Sequence, residues 1–180
     1  MGMSFSESLH RKFVKKIGLI PCAYGGTSLS EWEKGGRLYA HAVSETREAL
    51  KNSRLKGILW HQGECDSDSL VNSESYKDRF MVFVDSLITD IGISNIPIIL
   101  GGLGDFLVHY PEGAYSHIIN KHLEDICTGE NRFEYVPSIG LTHNGNQDFL
   151  HFNAKSLREF GKRFAIAWEE CSKRVGIDLE

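Results

Sequence analysis

Four short apolar runs alternate along the chain with longer stretches in which apolar residues recur every three or four positions. The runs span residues 17–23, 57–60, 96–102 and 133–136. Runs that stay apolar at successive positions are typical of strands covered on both faces, as in a parallel sheet. We therefore predict four strands in one parallel sheet.

The stretches between the runs predict helices, which span residues 4–16, 37–52, 75–91, 116–127 and 152–171. Phe160 and Phe164 show the helical spacing in the last stretch, and Asn153 has the side chain of an N-cap. Helices and strands alternate from end to end. This order predicts a single domain over residues 1–180 with a three-layer α/β architecture.

Ligands of such sheets bind outside the carboxyl ends of the strands. The loops that follow the four predicted strands are residues 24–28, 62–66, 101–106 and 138–151. Glycine and polar residues are concentrated in them. We therefore expect the functional site to lie in these loops.

Composition and net charge restrict the kinds of partner that the chain is expected to bind. The 180 residues carry a formal net charge of −4 and a pI near 6.1, which gives no electrostatic case for nucleic acid or an anionic membrane. No apolar run approaches the roughly 20 residues that a membrane-spanning helix needs. We therefore expect neither of these partners.

The four cysteines are scattered along the chain at Cys22, Cys65, Cys127 and Cys171. Their spacing matches neither a zinc site nor a disulfide framework. The first 13 residues contain no apolar leader. These features predict free thiols in a reducing compartment, the cytoplasm, with no metal and no cofactor.

The last loop contains an aspartate and a histidine three positions apart, Asp148 and His151. This spacing can bring the carboxylate beside the imidazole, where it would hold Nδ1–H and leave Nε2 as a general base. A surface aspartate followed by a helix-capping histidine is the alternative interpretation.

Two glycines, Gly25 and Gly26, follow the first predicted strand. Because glycine lets backbone N–H groups approach a ligand closely, this turn can form part of an oxyanion hole. A tight strand-to-helix turn is the alternative. We interpret Ser28 and Ser30 as turn and capping residues, since the GxSxG nucleophile motif is absent.

The loop after the second predicted strand begins with Gln62, whose side-chain amide can donate to an oxyanion. Glu64 and Asp66 follow, either as a carboxylate pair for acid–base chemistry or as hydrogen-bond anchors of the loop, and we favour anchors. Cys65 lies between two acids, which raise a thiol pKa and disfavour a nucleophilic role.

Four segments in this order, IPCAYGGTSLSEWEKG, GILWHQGECD, IPIILGGLGDF and DFLHFN, resemble the SGNH hydrolases. Within that superfamily the chain is most similar to the sialate O-acetylesterases and acetylxylan esterases of carbohydrate esterase family six. The resemblance implies a flavodoxin-like α/β/α sandwich with a parallel sheet. It also implies metal-free hydrolysis of acetyl esters on small or oligomeric carbohydrates.

The resemblance further implies roles for individual residues. His151 would activate a nucleophilic serine, and Asp148 would orient His151. Gly25 or Gly26 would donate a backbone N–H to the oxyanion, and Gln62 would donate a side-chain N–H. Beside them, Glu64 and Asp66 would support the loop.

One part of the family pattern is missing. The family's serine lies in a GQSN motif after the first strand, and neither that motif nor an apolar run precedes residue 17. We therefore expect the first, central strand and the nucleophile to be absent. The gap would be closed by direct pairing of strands 17–23 and 57–60, or filled by another chain, or would leave an unstable fragment.

Three functions remain open at this stage. The chain can be a carbohydrate O-acetylesterase whose serine lies upstream, in which case it is a very poor esterase by itself, since loss of a triad serine costs about 10⁶ in turnover. It can be a non-catalytic remnant that binds acetylated carbohydrate. A thioesterase or lipase of the same superfamily is less favoured, and homo-oligomerisation is left open.

Overall fold

The structure is a computed structural model, and it describes residues 1–145 and 148–177. In chain order, its helices and strands are α1 (Gly2–Phe13), α2 (Arg37–Leu50), β1 (Ile58–Trp60), α3 (Leu70–Ile91), β2 (Ile98–Gly101), α4 (Ser116–Gly129), β3 (Phe133–Val136) and α5 (Ala154–Val175). Short 3-10 helices at Leu29–Glu31, Asp105–His109 and Pro111–Gly113 lie in the loops.

The strands form one parallel sheet in the order β1-β2-β3. Ile98 of the central strand pairs with Ile58 on one side and with Phe133 on the other. Every residue of β2 is buried, which accounts for its uninterrupted apolar sequence. The predicted α/β class with a parallel sheet is confirmed.

Helices cover both faces of this sheet. Ile98 and Leu100 belong to a core that also contains residues of α2, α3 and α4, whereas Ile99 belongs to a second core with residues of α1 and α5. Successive side chains of a strand point to opposite faces. The sheet therefore lies between two helical layers.

Residues 17–23 do not form the predicted first strand. Leu19 is 41% exposed, while Ile17 packs partly against the core of α1 and α5 and Cys22 against the opposite core. The segment thus passes from one core to the other as irregular chain. Pro21 has no N–H for a ladder, and Gly18 weakens a strand interior. The predicted first strand is therefore wrong, and direct pairing of 17–23 with 57–60, one of the three alternatives, does not form.

Helix boundaries differ from the prediction where capping decides them. The α3 helix begins five residues earlier than predicted because Ser69 accepts a hydrogen bond from the backbone N–H of Asn72 at 3.5 Å. The predicted N-cap of α5 is confirmed: the Asn153 side chain accepts from the backbone N–H of Ser156 at 2.9 Å.

None of the helices in the described residues combines the length and apolarity that crossing a membrane requires.

Candidate active site at the carboxyl ends of the strands

The loop after β1 is tied to the core through one buried hydroxyl group. The Tyr76 hydroxyl accepts a hydrogen bond from Trp60 Nε1 at 3.0 Å and lies 2.9 Å from the backbone oxygen of Gln62 and 3.0 Å from its Oε1. Burial raises the pKa of Tyr76, so the hydroxyl stays protonated as a donor. It fixes both the backbone and the side chain of Gln62.

The Gln62 amide joins two of the predicted site loops. Its Nε2 donates to the backbone oxygen of Thr27 at 2.9 Å and to Asp66 Oδ2 at 2.7 Å. Both amide hydrogens therefore have protein acceptors. Donation from Gln62 to an oxyanion, the role implied by the family resemblance, requires one of these two bonds to open.

Asp66 lies beneath this junction and is 1% exposed. Besides Gln62, its Oδ2 accepts a hydrogen bond from the backbone N–H of Leu29 at 2.8 Å, and its Oδ1 lies 3.7 Å from Arg79 Nη1. Burial raises the pKa of Asp66, against the hydrogen bonds from Gln62 and Leu29 and the charge of Arg79. These contacts connect three segments of the chain, as a loop support does.

His61 and Glu64 occupy the other side of the same loop. The His61 ring places Nε2 3.5 Å from Glu64 Oε1 and Nδ1 3.3 Å from the backbone oxygen of Gly101. Its ring also packs on Phe152 and Phe160, with centroids 5.7 and 5.4 Å away. His61 thus connects the ends of β1 and β2 with the chain that enters α5.

Cys65 lies in the same loop without the environment of a nucleophile. Burial raises the pKa of its thiol, and the charges of Glu64 and Asp66 raise it further. A thiol is nucleophilic as the thiolate. The structure therefore agrees with the sequence-based interpretation of Cys65.

The turn at Gly25 and Gly26 is exposed, and Gly26 has a φ of +71°, which favours glycine. Among the described residues, neither glycine N–H donates to a protein acceptor. Ser28 caps the 3-10 helix Leu29–Glu31 in a capping box with Glu31, and its Oγ lies 2.7 Å from Ser30 Oγ. The interpretation of Ser28 as a capping residue is confirmed, whereas Ser30 lies inside the 3-10 helix.

Asp148 and His151 form a hydrogen-bonded pair. His151 Nδ1 lies 2.8 Å from Asp148 Oδ1, and the same oxygen accepts from the His151 backbone N–H at 3.1 Å. Asn144 Nδ2 donates to the other carboxylate oxygen at 3.2 Å. The hydrogen bond from His151 is the main cause that lowers the pKa of Asp148. The carboxylate is therefore ionised and holds Nδ1–H of an imidazole whose side chain is 69% exposed.

Backbone hydrogen bonds hold the loop that carries this pair. His143 and Phe152 form an antiparallel bridge, and the Asn144 N–H donates to the backbone oxygen of His151 at 2.8 Å. The Asn153 side chain donates to Thr142 Oγ1 at 2.6 Å. The loop is therefore tied on both sides of Asp148 and His151.

The structure joins the predicted site residues in two groups. Gln62 and Asp66 bond directly to the loop of Gly25 and Gly26 through Thr27 and Leu29. The second group, Asp148 and His151, lies beside Phe152, whose ring contacts His61 next to Gln62.

Sequence reasoning missed several residues that connect the site, namely His61, Tyr76, Arg79 and Asn144. Tyr76 and Arg79 lie three positions apart on α3, so a shared helical face was the available signal. Asn144 and His61 each have one partner within four residues, Asp148 and Glu64, so short spacing was the available signal for them. The contacts of His61 with Gly101, Phe152 and Phe160 arise only in the folded chain.

Within residues 1–145 and 148–177, no serine, threonine or cysteine side chain is hydrogen-bonded to the His151 ring. The described part of the chain also contains no group of three or more His, Cys, Asp or Glu residues placed to hold a metal ion. The arrangement can supply an oriented general base and free backbone donors.

Known proteins are similar to this chain in sequence and in fold. The family model described as "Carbohydrate esterase, sialic acid-specific acetylesterase" matches residues 1–170. The probable carbohydrate esterase At4g34215 of Arabidopsis thaliana is 36% identical over 102 residues, which are 54% of this chain and 39% of that protein. The matched residues therefore cover well under half the length of that relative.

Two solved structures are similar in fold. The crystal structure of the Arabidopsis protein AT4G34215 superposes with a TM-score of 0.82 at 28% identity, over 93% of this chain and 67% of that chain. The carbohydrate acetylesterase XAC1771 of Xanthomonas citri superposes with a TM-score of 0.75 at 17% identity, over 97% of this chain and 40% of that chain. The second likeness concerns the fold alone.

Proposed function

The chain belongs to the carbohydrate esterase family described as sialic acid-specific acetylesterases, and we propose that its site serves the hydrolysis of acetyl esters on a carbohydrate of the xylan or sialate type. The observation that carries this proposal is the Asp148–His151 pair, with Nδ1 held at 2.8 Å and the ring 69% exposed. A histidine oriented in this way is the general base of serine esterases.

In the proposed reaction His151 Nε2 takes the proton of a serine hydroxyl as the serine oxygen attacks the acetyl carbonyl. The N–H groups of Gly25 and Gly26, which have no protein acceptor among the described residues, stabilise the oxyanion. The imidazolium then returns its proton to the departing sugar oxygen. Water, activated by His151, hydrolyses the acetyl-serine and releases acetate.

The role of Gln62 in this proposal depends on whether one of its hydrogen bonds opens. Its two amide hydrogens are bound by Thr27 and Asp66, so in the present geometry it positions the loop of Gly25 and Gly26. A direct hydrogen bond to the oxyanion follows only if the bond to Thr27 or the bond to Asp66 opens. Glu64 and Asp66 support the loop.

The source of the nucleophilic serine is a separate part of the proposal. No serine is hydrogen-bonded to His151 among the described residues, and Ser28 caps the 3-10 helix in which Ser30 lies. We therefore propose that the nucleophile comes from sequence outside this chain. The same observation favours a second candidate, a non-catalytic domain that binds acetylated carbohydrate.

One assay separates the two candidates. The 180-residue chain and a version extended by the sequence encoded upstream are compared for hydrolysis of 4-nitrophenyl acetate. Activity confined to the extended version supports the esterase with an external serine. Activity in neither supports the binding domain. Ordinary turnover by the 180-residue chain would show that its nucleophile is a residue rejected above.

We also propose a reducing location such as the cytoplasm. The four cysteines are free thiols in the structure, as expected for proteins of reducing compartments. Fractionation of the source cells, followed by detection of the chain with an antibody, tests this proposal.

A further inference from the structure

Two stacked aromatic rings, those of Tyr110 and Phe149, lie in the loops that follow β2 and β3. Their centroids are 4.7 Å apart and their planes differ by 18°. Phe149 is 36% exposed and Tyr110 is half-buried. In the other stacked pair of the described residues, Tyr76 and Phe80, both rings are fully buried in the core. The Tyr110–Phe149 pair, here called the aromatic wall, therefore leaves ring surface open to a ligand.

The aromatic wall adjoins the Asp148–His151 pair. Phe149 follows Asp148 directly, and the hydrogen bond of 3.1 Å from the His151 N–H to Asp148 Oδ1 closes the turn that contains Phe149. Consecutive Cα atoms are about 3.8 Å apart, so the Cα atoms of Phe149 and His151 lie within about 7.6 Å of each other. A group that binds to the wall is therefore close to the candidate general base.

Further rings connect the wall to the core. Phe149 and His143 pack edge-on with centroids 5.6 Å apart, and His143 packs in the same way on Phe106 at 5.3 Å. Phe106 in turn contacts the buried ring of Phe152 at 5.4 Å. His143 Nδ1 also accepts a hydrogen bond from the backbone N–H of Gly145 at 3.0 Å. The wall is therefore held in place without a ligand, which lowers the ordering cost of binding.

The backbone of Tyr110 is held between two 3-10 helices, while its hydroxyl group is free. Its N–H donates to the backbone oxygen of Leu107 at 2.9 Å, and its own oxygen accepts from the Gly113 N–H at 3.0 Å. Among the described residues the Tyr110 hydroxyl has no hydrogen-bond partner, whereas the hydroxyls of Tyr39 and Tyr76 are bonded. The wall therefore combines ring surface with one available hydroxyl.

Two more apolar side chains are exposed next to the wall. Leu150 follows Phe149 and is 37% exposed, and Val108 lies two residues before Tyr110 and is 43% exposed. Single exposed apolar residues are ordinary, whereas several in adjoining loops indicate a binding surface. None of these four side chains is charged. The surface therefore suits a flat, uncharged group.

The ring of a pyranose with equatorial hydroxyl groups has these properties. Its C–H groups point above and below the ring, and its hydroxyl groups point outward from the rim. Hydrogen atoms on carbon carry slight positive charge, and the face of an aromatic ring is negative. Such a sugar can pack its C–H face on an aromatic ring while a rim hydroxyl bonds to a phenol hydroxyl.

We propose that Tyr110 and Phe149 are specificity-determining residues of the site: the aromatic wall stacks on the ring of the sugar whose acetyl ester reaches His151. The Tyr110 hydroxyl bonds to a hydroxyl group of the same sugar. This inference rests on the proposed carbohydrate esterase function and assigns two binding residues to it. The wall holds the sugar by the shape of its ring and not by a charge.

Titration of the 180-residue chain with two neutral probes, followed by NMR, tests the inference. Methyl β-D-xylopyranoside has a flat ring with equatorial hydroxyl groups, whereas xylitol carries similar hydroxyl groups on an open chain. We expect the Kd of the glycoside to be about tenfold lower than that of xylitol. Raising the salt concentration from about 50 to 200 mM leaves it unchanged, since no charge takes part. Equal binding of the two probes, or no binding of the glycoside, would overturn the inference.

Variants assign the stacking to the two rings. Phe149→Leu and Tyr110→Leu keep an apolar side chain but remove the aromatic face, and each raises the Kd of the glycoside about three- to tenfold. Phe149→Tyr keeps the ring and binds as the parent does, and Tyr110→Phe raises the Kd less than Tyr110→Leu. Val82→Ala, at a side chain of α3 that is 66% exposed, is the control and leaves the Kd unchanged.

A purely structural role of the wall gives a different result. The two leucine variants would then lower the urea midpoint and leave the ratio of the Kd values of glycoside and xylitol at its parental value. Circular dichroism establishes which variants fold, and Phe149→Tyr and Tyr110→Phe keep the test open if a leucine variant does not. A parental ratio in every folded variant that lacks a ring or the hydroxyl would refute the assignment.

The outcome is separable from that of the proposed function, because binding is measured without hydrolysis. In an active extended version, the leucine variants raise KM for an acetylated methyl xyloside more than they lower kcat. If that version hydrolyses 4-nitrophenyl acetate but the glycoside binds no better than xylitol, the wall fails and the esterase function stands. If the extended version is inactive but the rings bind the glycoside, the proposed hydrolysis fails and the wall stands.

Discussion

Asp66 and Asp148 both accept hydrogen bonds in loops at the strand ends, yet their surroundings oppose each other. Asp66 is 1% exposed and accepts from Leu29 and Gln62, and burial raises its pKa. The Asp148 side chain is 32% exposed, and its hydrogen bond with His151 lowers its pKa although partial burial acts in the opposite direction. The pKa values of the two aspartates therefore shift in opposite directions, because desolvation dominates at Asp66 and a hydrogen bond dominates at Asp148.

The two aspartates therefore have different expected roles, Asp66 in stability and Asp148 in catalysis. Removing a buried carboxylate leaves donors without partners, which costs stability. Removing an exposed carboxylate that orients an imidazole costs catalysis, because the general base loses its tautomer and direction. We therefore expect mutation of Asp66 to lower stability and mutation of Asp148 to lower activity.

The largest expected effect concerns the Asp148–His151 pair. In the extended, active version of the chain, His151→Ala lowers kcat roughly 10⁴- to 10⁶-fold and Asp148→Asn roughly 10⁴-fold, as in other serine hydrolases. The melting temperature of His151→Ala changes little, because the His151 side chain is 69% exposed. Hydrolysis of 4-nitrophenyl acetate and calorimetry measure the two quantities. Asp68→Asn, an exposed acid of the other loop, is the control, and wild-type turnover in His151→Ala would refute the assignment.

The next effect is on stability. Asp66→Ala leaves the Leu29 N–H and one Gln62 amide hydrogen without their acceptor, and we expect the free energy of unfolding to fall by about 2–4 kcal/mol. Urea denaturation of the 180-residue chain measures it without any need for activity. Asp68→Ala serves as the matched control. If both variants have the same urea midpoint, Asp66 does not support the loop.

The weakest effect that we expect is on the pH dependence of stability, which has opposite signs for the two aspartates. The folded-state pKa of Asp66 is raised, so the native state binds the extra proton above the unfolded pKa of about 3.9. The contribution of Asp66 to stability therefore falls as the pH rises from the unfolded toward the folded pKa.

For Asp148 the folded-state pKa is lowered, so its contribution is complete above the unfolded pKa and is lost as the pH falls through the folded pKa. Urea midpoints of the parent, Asp66→Asn and Asp148→Asn, measured from about pH 2.5 to 6.5, give the two contributions by difference. If the contributions of the two aspartates to stability changed with pH in the same direction, their pKa values would not be shifted in opposite directions.

The candidate site shows how far sequence reasoning extends. The DxxH spacing correctly placed Asp148 and His151 in contact because three residues of a tight loop suffice to close that hydrogen bond. The partners of Gln62 were not predictable in the same way, since Thr27 is 35 residues away along the chain. Long-range hydrogen bonds depend on which strand ends become neighbours, and a local pattern does not specify that.

The α/β class, the buried run of β2 and the cap of α5 at Asn153 could be predicted from the sequence, because each depends on residues within one or two turns of the chain. The irregular path of residues 17–23 could not be predicted, because it depends on contacts made in the folded chain. Ile17 and Cys22 pack at the edges of two separate cores while Leu19 stays exposed, and backbone pairing requires a partner strand that the local sequence does not contain. The tertiary structure also stacked the rings of Tyr110 and Phe149, since residues distant in sequence become neighbours only when the loops of two strands meet.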